Sequence, residues 1–254
     1  MSRELQFLVC GEGPSDVGYD DKNPGILMKA LETLGETVIS PTDTLGFHIL
    51  SRLELARSKS RTKGMVLRGG KNASGENKAL AALRQQARIL GELAQEREEK
   101  DHRETGAVLF HDCDFTQRDN TKAEKAYQDT VSSIERGFAS AKNFRNGVAM
   151  VPCTRSECWL LAHYQNTPYQ NSQRFEKNPP GNDASPNSPK KLLANFLKCP
   201  VNDIYSTVDA EAVQWEKIDS SSFRFFRKRY RHVLQRMLHL PTDDPEEETL
   251  ISRA

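Results

Sequence analysis

Three short apolar runs, each breaking into acidic residues, constrain this chain more than any other feature. LQFLVC (5–10) stops at Gly11 and is followed by Glu12 and Asp16; GAVLFH (106–111) is followed by Asp112 and Asp114; GVAMV (147–151) stops at Pro152 and is followed by Glu157. Runs of this kind fit strands buried on both faces, and such strands belong to parallel sheets covered by helices on both sides. Helical spacing lies between them. Ile26, Leu27, Ala30, Leu31 and Leu34 share one face after the Pro24-Gly25 pair, with Gly35 closing the helix. Leu80, Leu83, Ala87, Leu90 and Leu93 form the stripe of a long helix that opens near Ser74 and Asn77 and ends in EREEKDHRE. Residues 120–141 and 155–164 are the helices expected after the second and third strands. The expected fold is α/β, a Rossmann-like, mostly parallel sheet flanked by helices. In such sheets ligands bind beyond the carboxyl ends of the strands, where the acids stand.

The remaining pattern completes the expected order. A short strand is expected at 37–39, a helix over 44–57 and a polar, basic loop over 58–73. Residues 165–190 carry Pro168, Pro179, Pro180, Pro186 and Pro189 among many Asn and Ser, which is loop composition. Helical patterns return at 190–197 and 220–238, before an acidic tail at 243–248. The expected organisation is a core over 1–165 with a helical insertion at about 40–100, and a proline-rich loop with a helical C-terminal extension over 166–254 packed on that core.

Composition narrows the function classes. Lys and Arg total 36 against 35 for Asp and Glu, so the net charge of +1 exerts no global pull on nucleic acid or membrane. The first apolar run is too short for a signal peptide, and no stretch approaches the roughly 18 apolar residues of a membrane span. A cytoplasmic location without membrane attachment is expected. Cys10, Cys113, Cys153, Cys158 and Cys199 form an odd set with no CxxC pair, which indicates reduced thiols rather than a disulfide framework or zinc ribbon. A Walker A motif is missing, so any ATPase partner would be a separate chain.

Carboxylates gathered at one sheet edge repel one another and call for a cation; oxygen donors without a His or Cys cluster suit magnesium or manganese. Alternation puts Asp112 and Asp114 on the same side of an extended segment, and Glu12 and Asp16 stack if a helix follows the first strand. Gly11 and Gly13 bracket Glu12 and would let backbone amides approach a phosphate. Bland readings stand beside these. Ser15 and Asp16 are good helix caps, Asp112 and Asp114 suit a polar strand exit, and Glu157 suits a first helical turn, with Arg155 as partner. His111 is more simply packed than reactive, and Trp159 is core. Two basic regions are candidate phosphate contacts: residues 51–78, with eight cations including Lys63, Arg68 and Lys71 against Glu54 and Glu76, and FRFFRKRYRH (223–232). In the latter, Arg224, Arg227, Lys228 and Arg231 share one helical face opposite Phe223, Phe226 and Tyr230.

LVCGEGPSD resembles the first motif of the Toprim family, a strand followed by Glu-Gly and a Ser-Asp pair, and LFHDCDF resembles its second, a strand ending in Asp-x-Asp. With VPCTRSECWLLA, the combination is similar to small bacterial Toprim-like proteins, often of defence contexts, and to the nuclease half of overcoming-lysogenization-defect proteins. The resemblance covers residues 5–165 as an order of strands and motifs. It implies that Glu12, Asp112 and Asp114 hold a Mg2+ or Mn2+ ion and that Asp16 and Glu157 match the acids of a second. It further implies a metal-dependent nuclease acting on DNA or RNA, an antiphage-defence effector with a separate ATPase or other regulatory protein as partner. A tyrosine nucleophile motif is missing, which favours metal-assisted hydrolysis over covalent strand passage. The alternatives are a phosphatase or nucleotide hydrolase using the same acids, and a non-catalytic module binding nucleic acid or a partner protein.

Overall fold

The computed structural model describes residues 2–13, 15–58, 78–113, 120–142, 144–177 and 185–241. In chain order these form β1 (Glu4–Cys10), a small hairpin of β2 (Gly18–Asp20) and β3 (Asn23–Pro24), α1 (Met28–Glu36), β4 (Thr44–Leu50), α2 (Arg52–Ser58), α3 (Lys78–Asp101), β5 (Glu104–Phe110), α4 (Asn120–Ala139), β6 (Gly147–Met150), α5 (Glu157–Tyr164), α6 (Arg174–Lys177), α7 (Pro189–Leu197), α8 (Ile204–Thr207) and α9 (Ser221–Met237). The main sheet has the order β4-β1-β5-β6, and each neighbouring pair is parallel. The chain leaves β1 in one direction to reach β4 and in the other to reach β5 and β6. Strand order therefore reverses between β1 and β5, the position at which an open α/β sheet forms its ligand crevice.

The period of two along each strand divides the apolar side chains between two cores. Leu5, Phe7 and Val9 of β1 join Val108, Phe110, Val148 and Met150 in a core covered by α1, α5, α7 and α9. Leu8 and Cys10 join Ala107, Leu109 and Ala149 in a second core covered by α3 and α4, with Leu55 from α2. The chain is thus an α/β protein with a Rossmann-like parallel sheet between helical layers. All five cysteines are free, and among the described residues no helix is long and apolar enough to cross a membrane.

Several segments differ from the expected pattern. Residues 44–57 are not one helix: TLGFHIL pairs with β1 from Glu4↔Thr44 to Cys10↔Leu50 as an edge strand. Gly46 weakens a helix there, while Phe47 and Ile49 suit a sheet. Only α2 is helical, and it opens on a reciprocal cap in which the Ser51 amide donates to Glu54 Oε2 at 2.8 Å and the Glu54 amide to Ser51 Oγ at 3.2 Å. Residues 37–39 form a turn rather than a strand, with the Val38 and Ile39 amides both donating to the Gly35 carbonyl. Pro24 belongs to the hairpin and α1 starts at Met28, because the backbones of Gly25 and Asp16 meet so closely that a Cβ on Gly25 would lie 2.5 Å from the Asp16 carbonyl. Within the proline-rich excursion, α6 carries Glu176, a buried carboxylate that accepts from Trp159 Nε1 at 3.3 Å and from the Ser222 amide at 3.2 Å. The acidic tail lies outside the described residues.

An aromatic column fixes α9 in the first core. Trp159 stacks on Phe226 at 5.8 Å, Phe226 on Tyr230 at 5.9 Å, and Tyr230 tilts onto Phe7 at 5.2 Å. The Tyr230 hydroxyl donates to the Leu31 carbonyl at 3.0 Å, which satisfies the phenol where it is buried. Phe226→Ala is expected to lower stability by about 3–5 kcal/mol, read as a shift of the urea midpoint, whereas the exposed neighbour Phe225→Ala should cost under about 0.5 kcal/mol. Equal effects at both positions would contradict this packing.

Candidate active site

The site is built where β1, β5 and β6 end. After Cys10 the chain turns at Gly11, where a Cβ would lie 2.5 Å from Val17 Cγ2; the tight packing of Val17 accounts for this glycine. The turn is closed by the Val17 amide donating to the Gly13 carbonyl at 3.5 Å, and the Asp16 carbonyl is held by the Leu27 amide at 2.8 Å. Glu12 and Asp16 therefore converge through a single turn and not, as the spacing suggested, through a helix. At the end of β5 the His111 amide still pairs with the Met150 carbonyl, at 3.2 Å, and Asp112 follows directly. Beyond β6 the chain passes through Thr154 at φ 100°, a costly conformation for a β-branched residue, held by a 3.1 Å contact of its hydroxyl with Cys158 Sγ.

That bend delivers Ser156, which joins two of the acids. Its amide donates to Asp112 Oδ1 at 3.0 Å and its hydroxyl to Asp16 Oδ1 at 2.7 Å. Glu157, the first residue of α5, is buried, and its Oε1 accepts from the Tyr205 hydroxyl at 2.6 Å. Glu12 Oε1 accepts from Arg52 Nη2 at 2.8 Å and also touches His111 Nδ1. Lys190, on the first turn of α7, holds its ammonium 5.5 Å from the Tyr205 ring centroid.

The electrostatics report crowding. The Asp16 carboxyl is pushed up to about 6, first by burial; the Ser156 hydroxyl opposes this, Glu157 and Glu12 add repulsion, and Lys190 pulls the other way. Burial would also lift Glu12, but the hydrogen bonds and charges of His111 and Arg52 outweigh it and hold its carboxyl below the usual range. The Tyr205 phenol is pushed far up, first by burial and then by Glu157, with Asp16 and Asp112 adding to it. Tyr205 is thus a permanent donor to Glu157.

Four of the residues singled out in the sequence, Glu12, Asp16, Asp112 and Glu157, meet at this edge. Asp114, Lys63, Arg68 and Lys71 lie outside the described residues. The cations of α9 are not brought to the carboxylates. Arg224 pairs with Asp219 at 3.2 Å, Arg227 donates to the Glu216 carbonyl, and Arg231 pairs with Glu216 at 2.6 Å. Arg231 also lies beside Thr37, beyond the far end of α1, and a nine-residue helix separates that end from Asp16 by about 13 Å. Lys228 is exposed on the same helix. Ser156, Tyr205 and Lys190 escaped the sequence reading, His111 was set aside by it, and Arg52 entered it only as one of the cations of the basic region 51–78. His111 carried a signal in its place beside Asp112, and Arg52 in that basic run.

The side chains gathered here are hard oxygen donors, the ligand type that hard divalent ions take. The donors are carboxylate oxygens, and magnesium is usually held by one or two of them together with solvent and substrate oxygens. Among the described residues no group of three or more His, Cys, Asp or Glu side chains is disposed to hold a metal.

Because folded Asp16 holds its proton more tightly than the unfolded chain does, stability falls as pH rises from about 4 to about 6, and the penalty is fully present above that range. Asp16→Asn, studied with chelator present, is expected to be more stable than the parent at pH 7–8 by up to about 3 kcal/mol and no more stable at pH 4. A variant less stable at pH 8 would contradict the assignment.

Comparison of the chain with protein-family models, with curated proteins and with solved structures finds no match, so the functional reading rests on the chemistry of this site.

Proposed function

We propose that the chain is a Mg2+- or Mn2+-dependent hydrolase of phosphodiester bonds in DNA or RNA, of the Toprim type. The observation that carries this is the meeting of Glu12, Asp16, Asp112 and Glu157 at the switch point of a parallel sheet, with Ser156 bridging Asp16 and Asp112. In this reading Glu12 and Asp112, with Asp114, would hold one ion, and Asp16 and Glu157 would serve a second. When bound, such ions supply charge stabilisation to a phosphoryl group and activate water for attack.

The chain's own groups do the rest. Ser156 fixes the spacing of Asp16 and Asp112, and Tyr205 fixes Glu157 from behind. Lys190 brings positive charge toward the Asp16 side, as its pull on that carboxyl indicates. Nucleic acid as substrate draws support from the basic run that starts with Arg52 at the site itself. The engagement of α9's cations with Glu216 and Asp219 favours the second reading, a phosphatase or nucleotide hydrolase acting on a small ester.

The test is incubation of the purified chain with plasmid DNA, single-stranded DNA, tRNA and p-nitrophenyl phosphate, with Mg2+, Mn2+ or chelator, beside Asp112→Ala. Cleavage of a polynucleotide is expected only with metal, and Asp112→Ala should lower it at least about 100-fold while leaving the melting temperature within a few degrees. Hydrolysis of the small ester alone would select the second reading. Salt-sensitive nucleic-acid binding indifferent to chelator, with no hydrolysis of any substrate, would overturn both.

A further inference from the structure

We propose that Arg52 is the phosphate anchor of this site, and that it and a divalent cation compete for the Glu12 carboxylate, so that the guanidinium would be free to take the substrate's phosphate when a cation is bound. The inference rests on the hydrolase reading above and deepens it. Its starting point is one atom. Glu12 Oε1 accepts from Arg52 Nη2 at 2.8 Å and is also the atom touched by His111 Nδ1. The Arg52 guanidinium and a cation would be drawn to this carboxylate by the same negative charge, so each weakens the hold of the other on it. Arg52 is the partner with somewhere to go: its side chain is 44 % exposed, against 22 % for His111.

The backbone makes such an exchange local. Arg52 is the first residue of α2, and the reciprocal cap between Ser51 and Glu54 pins its root directly beyond β4. β4 is the hydrogen-bonded neighbour of β1, and Cys10, two residues before Glu12, pairs with Leu50, two residues before Arg52. A guanidinium released from Glu12 therefore stays at the mouth. Its planar fork matches two phosphate oxygens, which an ammonium cannot do. The charge balance also closes: the dication takes over Glu12, and the phosphate that arrives takes over the arginine.

The alternative is a surface ion pair that steadies α2 and nothing more. The two differ in sign. If Arg52 competes with the cation, removing its charge tightens metal binding; if it only steadies α2, removal leaves metal binding unchanged or weakens it. The experiment is calorimetric titration of Mn2+ into the full chain, as the parent, Arg52→Gln and Arg52→Lys, followed by steady-state kinetics on the substrate identified above. Arg52→Gln is expected to bind Mn2+ roughly three- to tenfold more tightly and to raise KM about tenfold or more, with kcat less affected. Arg52→Lys should keep the parent's Mn2+ affinity, because the charge remains, and still raise KM, because the fork is lost. Equal or weaker Mn2+ binding by Arg52→Gln overturns the exchange while leaving the hydrolase reading standing, and an unchanged KM overturns the anchor. Failure of all three proteins to bind Mn2+ overturns the hydrolase reading and this inference with it.

Discussion

Carboxylates carried by the ends of β1, β5 and β6 share one edge of the sheet, and their mutual repulsion has to be met by groups from elsewhere in the chain. The strand order makes this unavoidable: β1 and β5 lie side by side where the chain reverses direction, so the segments leaving them face each other across a crevice. Ser156 donates one hydrogen bond to Asp112 and one to Asp16, Arg52 pairs with Glu12 while His111 touches it, and Tyr205 donates to Glu157. Every partner comes from a different element. The geometry of the site is thus set by the tertiary fold and not by a local motif.

The C-terminal third is part of this arrangement. Trp159 follows Glu157 by two residues, and its indole donates to Ser222 Oγ at 2.8 Å and to Glu176 at 3.3 Å, while its ring stacks on Phe226. These contacts fix the rotation of α5 about its axis, and with it the direction of Ser156 and Glu157. Buried polar networks of this kind are costly when incomplete, and this one is well supplied: Glu176 accepts from Trp159, from the Ser222 amide and hydroxyl, and from Gln173 Nε2. The aromatic column running on to Tyr230 and Phe7 then ties the same helix to the centre of the sheet. Packing and site chemistry are joined through a single short helix.

How much of this is legible in the sequence follows from the range of the forces involved. β1, β5 and β6 declare themselves because a strand buried on both faces must be continuously apolar, and the acids stand out because they end those runs. β4 does not. As an edge strand it tolerates His48 and Gly46, and Leu45, Ile49 and Leu53 fall four apart, which mimics a helical stripe running into the true helix α2. Ser156, Lys190 and Tyr205 carry no local signal, since their role depends on which distant carboxylate they meet; Tyr205 lies 48 residues from Glu157. The basic face of α9 is visible in the pattern, but its partners Glu216, in a 3-10 turn, and Asp219 precede the helix, and only the packed structure supplies their position.

The account turns on whether the crevice between β1 and β5 takes up a divalent ion. Crystals soaked in Mn2+ and measured at the manganese absorption edge answer that directly. The account predicts anomalous density bounded by the carboxylates of Glu12 and Asp112, with any second peak on the side of Asp16 and Glu157. No anomalous density in the crevice at saturating Mn2+, or density only at other surface acids, would contradict it.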